Sequence, residues 1–120
     1  MINTEVLKKA GIDYQAGLTR FMDDKELYEM VLSAYVRDDL LQRARAAYDK
    51  NDRDALLHAV HEAKGSSGNA DLTGVYEKAC ALVTLLRSND YTDTELKDGF
   101  LQFEKAYSAM QEAIREALED

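Results

Sequence analysis

The chain has 120 residues, of which 46% are hydrophobic and 32% charged, a balance typical of one globular domain with a single core. Its formal net charge of −8 repels nucleic-acid phosphates and anionic lipid, so neither partner is expected. Proline is absent, which permits long helices, and no stretch approaches the roughly 18 apolar residues of a membrane span. We therefore expect residues 1–120 to form one domain of a cytoplasmic protein.

The beginning of the chain predicts a short helix over residues 3–9 that ends at Gly11, followed by a turn-rich segment over residues 12–22 packed on the rest of the fold. Asp23 and Glu26 have the spacing of a capping box, which predicts the start of a first long helix there. We expect that helix to end near residues 49–51. Its apolar residues recur at helical spacing: Leu27, Met30, Val31, Ala34, Tyr35, Leu41 and Ala44.

Three further helices follow. The second is expected over residues 52–67, with residues 68–69 as its stop, and the third over residues 72–87. The fourth begins at a Thr-x-x-Glu capping box formed by Thr92 and Glu95 and continues to the C-terminus. Helices joined by short loops pack as antiparallel neighbours, so the pattern predicts an all-α, up-and-down four-helix bundle with a short N-terminal helical cap.

The second helix carries the most informative residues. Gly65 lies inside it, where glycine costs about 1 kcal/mol relative to alanine, and Gly68 follows one turn later. At about 100° per residue, His61 lies roughly 110° from the centre of the predicted core face, with both glycines within about 40° of it and Lys64 about 60° away. The predicted core face consists of Leu56, Val60, Ala63 and Ser67.

This arrangement favours chemistry at His61. An exposed neutral imidazole is a good nucleophile near neutral pH, and Gly65 and Gly68 remove the side chains that would keep a partner's reactive group away. Lys64, about one turn on, can stabilise a negative charge added to the ring. No Gly-rich phosphate loop accompanies these residues, so we expect any kinase chemistry to come from the partner.

Residues 61–67, with the pattern His-x-x-Lys-Gly-Ser, resemble the core motif of histidine-containing phosphotransfer (HPt) domains. The resemblance extends over nearly the whole chain, because residues 11–18, 24–28 and 51–56 also look like the lead-in and the loop of such domains. It implies that His61 is the phosphoacceptor, that Lys64 contacts the phosphoryl group, and that Gly65 leaves room for the partner. Gly68 is assigned to partner access from its position beside His61 on the helix. Ser66 and Ser67 are assigned a minor part in shaping the site.

The resemblance also implies the partners. HPt domains relay phosphoryl groups between sensor histidine kinases and receiver-domain aspartates, so we expect a monomeric phosphocarrier without kinase or phosphatase activity of its own. It would need no cofactor, since Mg²⁺ would be supplied by the receiver domain. The chain departs from the family at two positions: Ala63 replaces the usual Leu, and Asp71 replaces a frequent Gly, which affects the turn after the helix.

Two alternatives belong to other functional classes. The chain could be a helical adaptor that binds a partner without ever carrying phosphate. It could also bind a metal through His58 and His61, completed by Glu62 or Asp54, although no third strong ligand is fixed by the spacing and no metal is expected. The single cysteine, Cys80, is interpreted as a small buried hydrophobe in a reducing compartment rather than as a reactive thiol.

Overall fold

A computed structural model describes residues 2–119, which form helices and no strand, so the all-α prediction is confirmed. No helix within those residues is long and apolar enough to cross a membrane. The predicted single domain begins at Met1 and ends at Asp120, both of which lie outside the described residues, and it stays a prediction. The helices are α1 (Thr4–Lys9), α2 (Tyr14–Arg20), α3 (Lys25–Arg37), α4 (Leu40–Asp49), α5 (Arg53–Asn69), α6 (Thr73–Ser88) and α7 (Asp93–Glu119).

The bundle has four positions, occupied by α3 together with α4, by α5, by α6 and by α7. Neighbours in the chain are neighbours in space: α4 packs on α5, α5 on α6 and α6 on α7, while α7 returns to α3. The up-and-down arrangement is therefore confirmed. Because the core-facing side of each helix is apolar, the bundle buries a continuous core that includes Tyr28, Leu32, Leu56, Val60, Leu82, Phe103, Tyr107 and Ile114.

The prediction of a turn-rich segment over residues 12–22 is wrong, because most of it forms α2. Asp13 caps this helix, its side chain accepting a hydrogen bond of 3.0 Å from the backbone N–H of Ala16. The predicted short helix before it is confirmed as α1. The turn that follows α1 contains Gly11, whose φ of 79° lies in the left-handed region. Together α1 and α2 form the predicted N-terminal cap.

The first long helix is also not continuous, since it breaks between α3 and α4 at Asp38. The Asp38 backbone is extended, with a ψ of 162°, and its carboxylate accepts hydrogen bonds from the Leu40 N–H at 3.2 Å and the Tyr107 hydroxyl at 2.6 Å. A short acidic side chain that bonds to a nearby backbone group competes with helical geometry. The tertiary partner Tyr107, 69 residues away, fixes that choice.

Two predicted helix caps have different outcomes. At the start of α3 the cap is Asp24, whose carboxylate accepts from the Leu27 N–H at 3.0 Å, so the predicted Asp23–Glu26 box is wrong. Asp23 itself has a left-handed backbone, with a φ of 61°. At α7 the Thr92–Glu95 box is confirmed by two reciprocal bonds of 3.0 and 3.1 Å.

The cap docks on the turn between α5 and α6, which places the functional surface. α5 continues through Gly68 to Asn69 instead of stopping at Ser67, and the chain then reverses at Asp71, whose φ is 57°. The cap reaches this turn through a β-bridge between Ile12 and Leu72. In addition, the buried Tyr28 hydroxyl of α3 donates to the Ala70 carbonyl at 2.8 Å.

The apolar stripe predicted for α3 does not all face the core. Tyr28 and Leu32 are fully buried, whereas the side of Leu27 and Met30 faces solvent, these two residues being 44% and 64% exposed. Ala34 continues the exposed side one turn further along the helix. α3 therefore presents an apolar strip to the outside as well as to the core.

Candidate functional site

The orientation of α5 agrees with the helical-wheel argument. Its four predicted core residues, Leu56, Val60, Ala63 and Ser67, are all buried, and so is Ala59. This orientation turns His61 outward, and His61 is exposed. The alanine at position 63 is fully buried, so the smaller residue found there still belongs to the packed core.

His61 lies on an open groove of about 530 Å³ between α5, the N-terminal cap and the start of α6. The structure brings four of the other predicted site residues to the same groove: Lys64, Gly65, Ser67 and Gly68. Residues that the sequence argument did not assign to the site complete its lining, namely Arg20, Asn69, Asp71, Leu72, Thr73 and Tyr76.

Lys64 is half-buried and lines the groove, which suits a lysine whose aliphatic stem packs on the protein while its ammonium group stays in solvent. Within residues 2–119 no carboxylate lies within ion-pair distance of Lys64. No carboxylate of the described residues therefore neutralises the charge of this lysine, which is available to an anionic group beside His61.

The two glycines differ in what surrounds them. A Cβ added at Gly65 would meet nothing within 4 Å, so the fold does not require glycine there. A Cβ added at Gly68 would come within 2.9 Å of the Tyr76 ring, which packs over that glycine from α6. Gly68 thus has a packing reason inside the molecule, in addition to its predicted contribution to access.

The two serines face different ways. Ser67 is fully buried, and its hydroxyl donates to the Ala63 carbonyl at 2.6 Å, so it satisfies its hydrogen bond within the helix. Ser66 does not line the groove of His61, but a second groove on the other side of α5 together with Tyr35 and Glu62.

Sequence reasoning missed the ion pair that lies across the groove. The Arg20 guanidinium donates from Nε to one Asp71 oxygen at 2.8 Å and from Nη2 to the other at 3.3 Å. Asp71 is the residue that replaces the family's frequent glycine, and its backbone has the left-handed φ that glycine favours. The two residues are 51 positions apart, and only the docking of the cap on the α5–α6 turn joins them.

The described residues offer no set of ligands for the metal site that the sequence left as an alternative. His58 lies on a different side of α5, in a depression next to α4. Glu62 is engaged by Arg43 at 2.7 Å, which ties α5 to α4. Across residues 2–119 no group of three His, Cys, Asp or Glu side chains could hold a metal ion. Cys80 is partly exposed on α6 rather than buried.

The sequence profile of the Hpt domain family matches residues 37–119, which is well over half of the chain. The chain belongs to the Hpt domain family. Hpt domains are phosphocarrier modules that interact with receiver domains and kinases in phosphorelays, so this Hpt domain has a phosphotransfer role in such a relay. A comparison with curated protein sequences found no match.

A solved structure supports the fold of this Hpt domain independently. The chain is similar to the crystal structure of the HPT domain from a sensor hybrid histidine kinase of Shewanella, with a TM-score of 0.81 and 14% sequence identity. The similarity covers 92% of this chain and 95% of the other. Because 92% of the chain is more than residues 37–119, the similarity also includes part of the chain before residue 37.

Proposed function

We propose that this Hpt domain carries the phosphoryl group on His61 and passes it between a sensor histidine kinase and the aspartate of a receiver domain. One observation supports the proposal above all: His61 is exposed at a groove where Gly65 leaves open space. The Lys64 ammonium, which has no carboxylate partner within residues 2–119, lies on the same groove.

The transfer needs only a nucleophile and room for the partner. The unprotonated ring nitrogen of His61 attacks the phosphorus of an aspartyl phosphate, and the new N–P bond forms as the O–P bond breaks. The carboxylate leaves with the electron pair of that bond. The other ring nitrogen keeps its proton, which the phosphorylated ring then loses to solvent. Lys64 stabilises the phosphoryl oxygens during this exchange.

The remaining components belong to the partners. We propose that the receiver domain supplies the acidic pocket and the Mg²⁺ ion, and that the histidine kinase supplies the nucleotide chemistry. The chain would act as a monomeric carrier with no cofactor of its own. Its location in the cytoplasm remains a prediction from composition.

The exposed strip of α3 offers a surface for such a partner. Val31 and Ala34 also line the second groove, together with Glu62 and Ser66 of α5. A receiver domain centred on His61 could cover this strip and remove its apolar side chains from water, which favours association. The apolar residues concerned are Leu27, Met30, Val31 and Ala34.

The experiment is transfer from a receiver domain charged with acetyl phosphate, followed by assay for an acid-labile, base-stable label on this chain. We expect the wild-type chain to be labelled and His61→Gln to remain unlabelled, with helical content and melting temperature little changed because residue 61 is exposed. A binding partner that never phosphorylates the chain would be detected as complex formation without label.

His58→Gln is the matched control, since it removes the other exposed histidine of the same helix. We expect this variant to be labelled like the wild type. Loss of label in His58→Gln with retention in His61→Gln would show that the phosphoacceptor is assigned to the wrong residue.

A further inference from the structure

The groove contains a second cation that comes from the N-terminal cap. Arg20 is the last residue of α2 and lines the groove together with His61 and Lys64. It lies outside residues 37–119, to which the family profile matches. The two cations approach the groove from different elements, Lys64 from α5 and Arg20 from the cap.

Asp71 holds this arginine in a defined orientation. The two-pronged contact fixes the plane of the guanidinium group, and the Asp71 side chain is only 18% exposed while that of Arg20 is 54% exposed. Arg20 has five N–H groups, and the pair with Asp71 uses two of them. Three N–H groups therefore remain on an exposed guanidinium at the edge of the groove.

We propose that Arg20 is a second phosphoryl-binding residue of the site, which contacts the phosphoryl group through the N–H donors that its pair with Asp71 leaves free. The inference rests on the proposed function, since it assigns a further contact to the phosphoryl group carried by His61. A planar guanidinium with free N–H donors matches phosphoryl oxygens well, better than an ammonium group does. The charged groups of the groove are then two cations, Arg20 and Lys64, and one anion, Asp71.

The same ion pair could instead only fasten the cap to the α5–α6 turn, and the two roles predict different behaviour. If Arg20 binds the phosphoryl group, its own charge matters and the carboxylate of Asp71 does not. If the pair is only a fastening, removal of either partner has the same consequence. Asp71→Gly is a suitable variant because glycine accepts the φ of 57° found at this position.

The test uses the whole chain phosphorylated by potassium phosphoramidate, which needs no partner protein. The imidazole nitrogen attacks phosphorus, the N–P bond to His61 forms, and the phosphoramidate N–P bond breaks with release of ammonia. The pKa of the resulting phosphohistidine is then read from the pH dependence of its ³¹P NMR shift. A nearby cation disfavours the protonated form, so Arg20 should lower that pKa.

We expect Arg20→Gln to raise the pKa of the phosphohistidine by about 0.5 to 1, and Asp71→Gly to leave it unchanged or lower it. The protonated phosphohistidine hydrolyses faster, so Arg20→Gln should also shorten its lifetime near neutral pH. An unchanged pKa in Arg20→Gln, or equal increases in both variants, would overturn the proposal. Failure of the proposed function would give a different result. The ³¹P spectra of the wild type and of His61→Gln would then show the same phosphohistidine signals, because none of them would come from His61.

Discussion

Two helical glycines occupy opposite situations in this molecule. At Gly17, in α2, an added Cβ would lie 2.0 Å from the Tyr28 hydroxyl oxygen, so the contact between α2 and α3 exists only because that position has no side chain. At Gly65, in α5, an added Cβ would meet nothing within 4 Å. Both residues weaken their helices, since glycine costs about 1 kcal/mol relative to alanine.

The difference separates what the fold requires from what a partner requires. The packing of the cap explains Gly17, whereas nothing within residues 2–119 explains the cost of Gly65. A helical glycine without an internal reason, one turn from an exposed histidine, indicates a surface that another molecule approaches. Gly68 lies between the two cases, because Tyr76 packs over it at the edge of the same groove.

The largest expected effect is on stability, at the contact between α2 and α3. Gly17→Ala should lower the free energy of unfolding by about 3 kcal/mol. The methyl group displaces the Tyr28 ring and so weakens the buried hydrogen bond from the Tyr28 hydroxyl to the Ala70 carbonyl. Urea unfolding followed by circular dichroism measures this. A Gly17→Ala variant as stable as the wild type would show that the two helices can separate at no cost. The packing of α2 on α3 would then not require glycine at position 17.

The next effect concerns the groove. Lys64→Ala should slow transfer from a charged receiver, or shorten the phosphohistidine lifetime, by about five- to 150-fold without eliminating transfer, the range for one charge-assisted contact. Lys64→Met is the control, because it keeps much of the apolar stem and removes the charge. If Met restores wild-type transfer and lifetime, the lysine acts through packing and its electrostatic role is refuted.

A third effect concerns the break between α3 and α4, where Asp38 does not line the groove of His61. Burial raises the pKa of Asp38, while the hydrogen bond from Tyr107 opposes that rise. Because the pKa of folded Asp38 exceeds its unfolded value, its contribution to stability is complete below the unfolded pKa and is lost as pH rises through the folded one. Tyr107→Phe removes the donor that helps the ionised carboxylate, and should destabilise by roughly 1–2 kcal/mol at pH 7.

The pH dependence checks that assignment. The loss in Tyr107→Phe should be smaller at pH 4 than at pH 7, because the raised pKa of Asp38 leaves less ionised carboxylate at the lower pH for the tyrosine to stabilise. Urea unfolding at the two pH values gives the comparison, and receiver transfer at pH 7 should stay near the wild-type rate while the variant is folded. Equal losses at both pH values would mean that the Asp38 charge is not what Tyr107 stabilises.

The smallest effect belongs to Gly65 itself. Gly65→Ala should raise the free energy of unfolding by up to about 1 kcal/mol, since the methyl group enters open space and alanine is the better helix former. Its sign is opposite to that expected for Gly17→Ala, which makes the two variants a matched pair. A clear loss of stability in Gly65→Ala would reveal a packing reason that the contacts around this residue do not contain.

Local signals in the sequence were enough to predict the buried side of α5 and the start of α7. The 3.6-residue period of α5 predicted which side is buried, and the Thr92–Glu95 box predicted the start of α7, because both depend on residues a few positions apart. The position of His61 on an open flank followed from the same period. The assignment of the phosphoacceptor and its neighbours rests on the resemblance of residues 61–67 to the HPt motif together with that geometry, and it stays a prediction.

The missed features depend on partners distant in the chain. The break at Asp38 is fixed by Tyr107, and the place of Arg20 in the groove is fixed by Asp71. No local pattern distinguishes these residues from ordinary surface charges, because only the packing of the helices brings the partners together. α2 was missed for a related reason: a seven-residue helix is too short to show a clear period, and its stability comes from docking on the bundle.

The open surface at Gly65 is tested most directly by two phosphodonors of different size acting on one variant, Gly65→Leu. Phosphoramidate is small enough to reach His61 past the leucine, whereas a receiver domain must bring its backbone close to the helix. We expect wild-type labelling from phosphoramidate, a loss of at least about tenfold in transfer from the charged receiver, and no loss of stability. Transfer from the receiver at the wild-type rate by the folded variant would contradict the assignment of Gly65 to partner access.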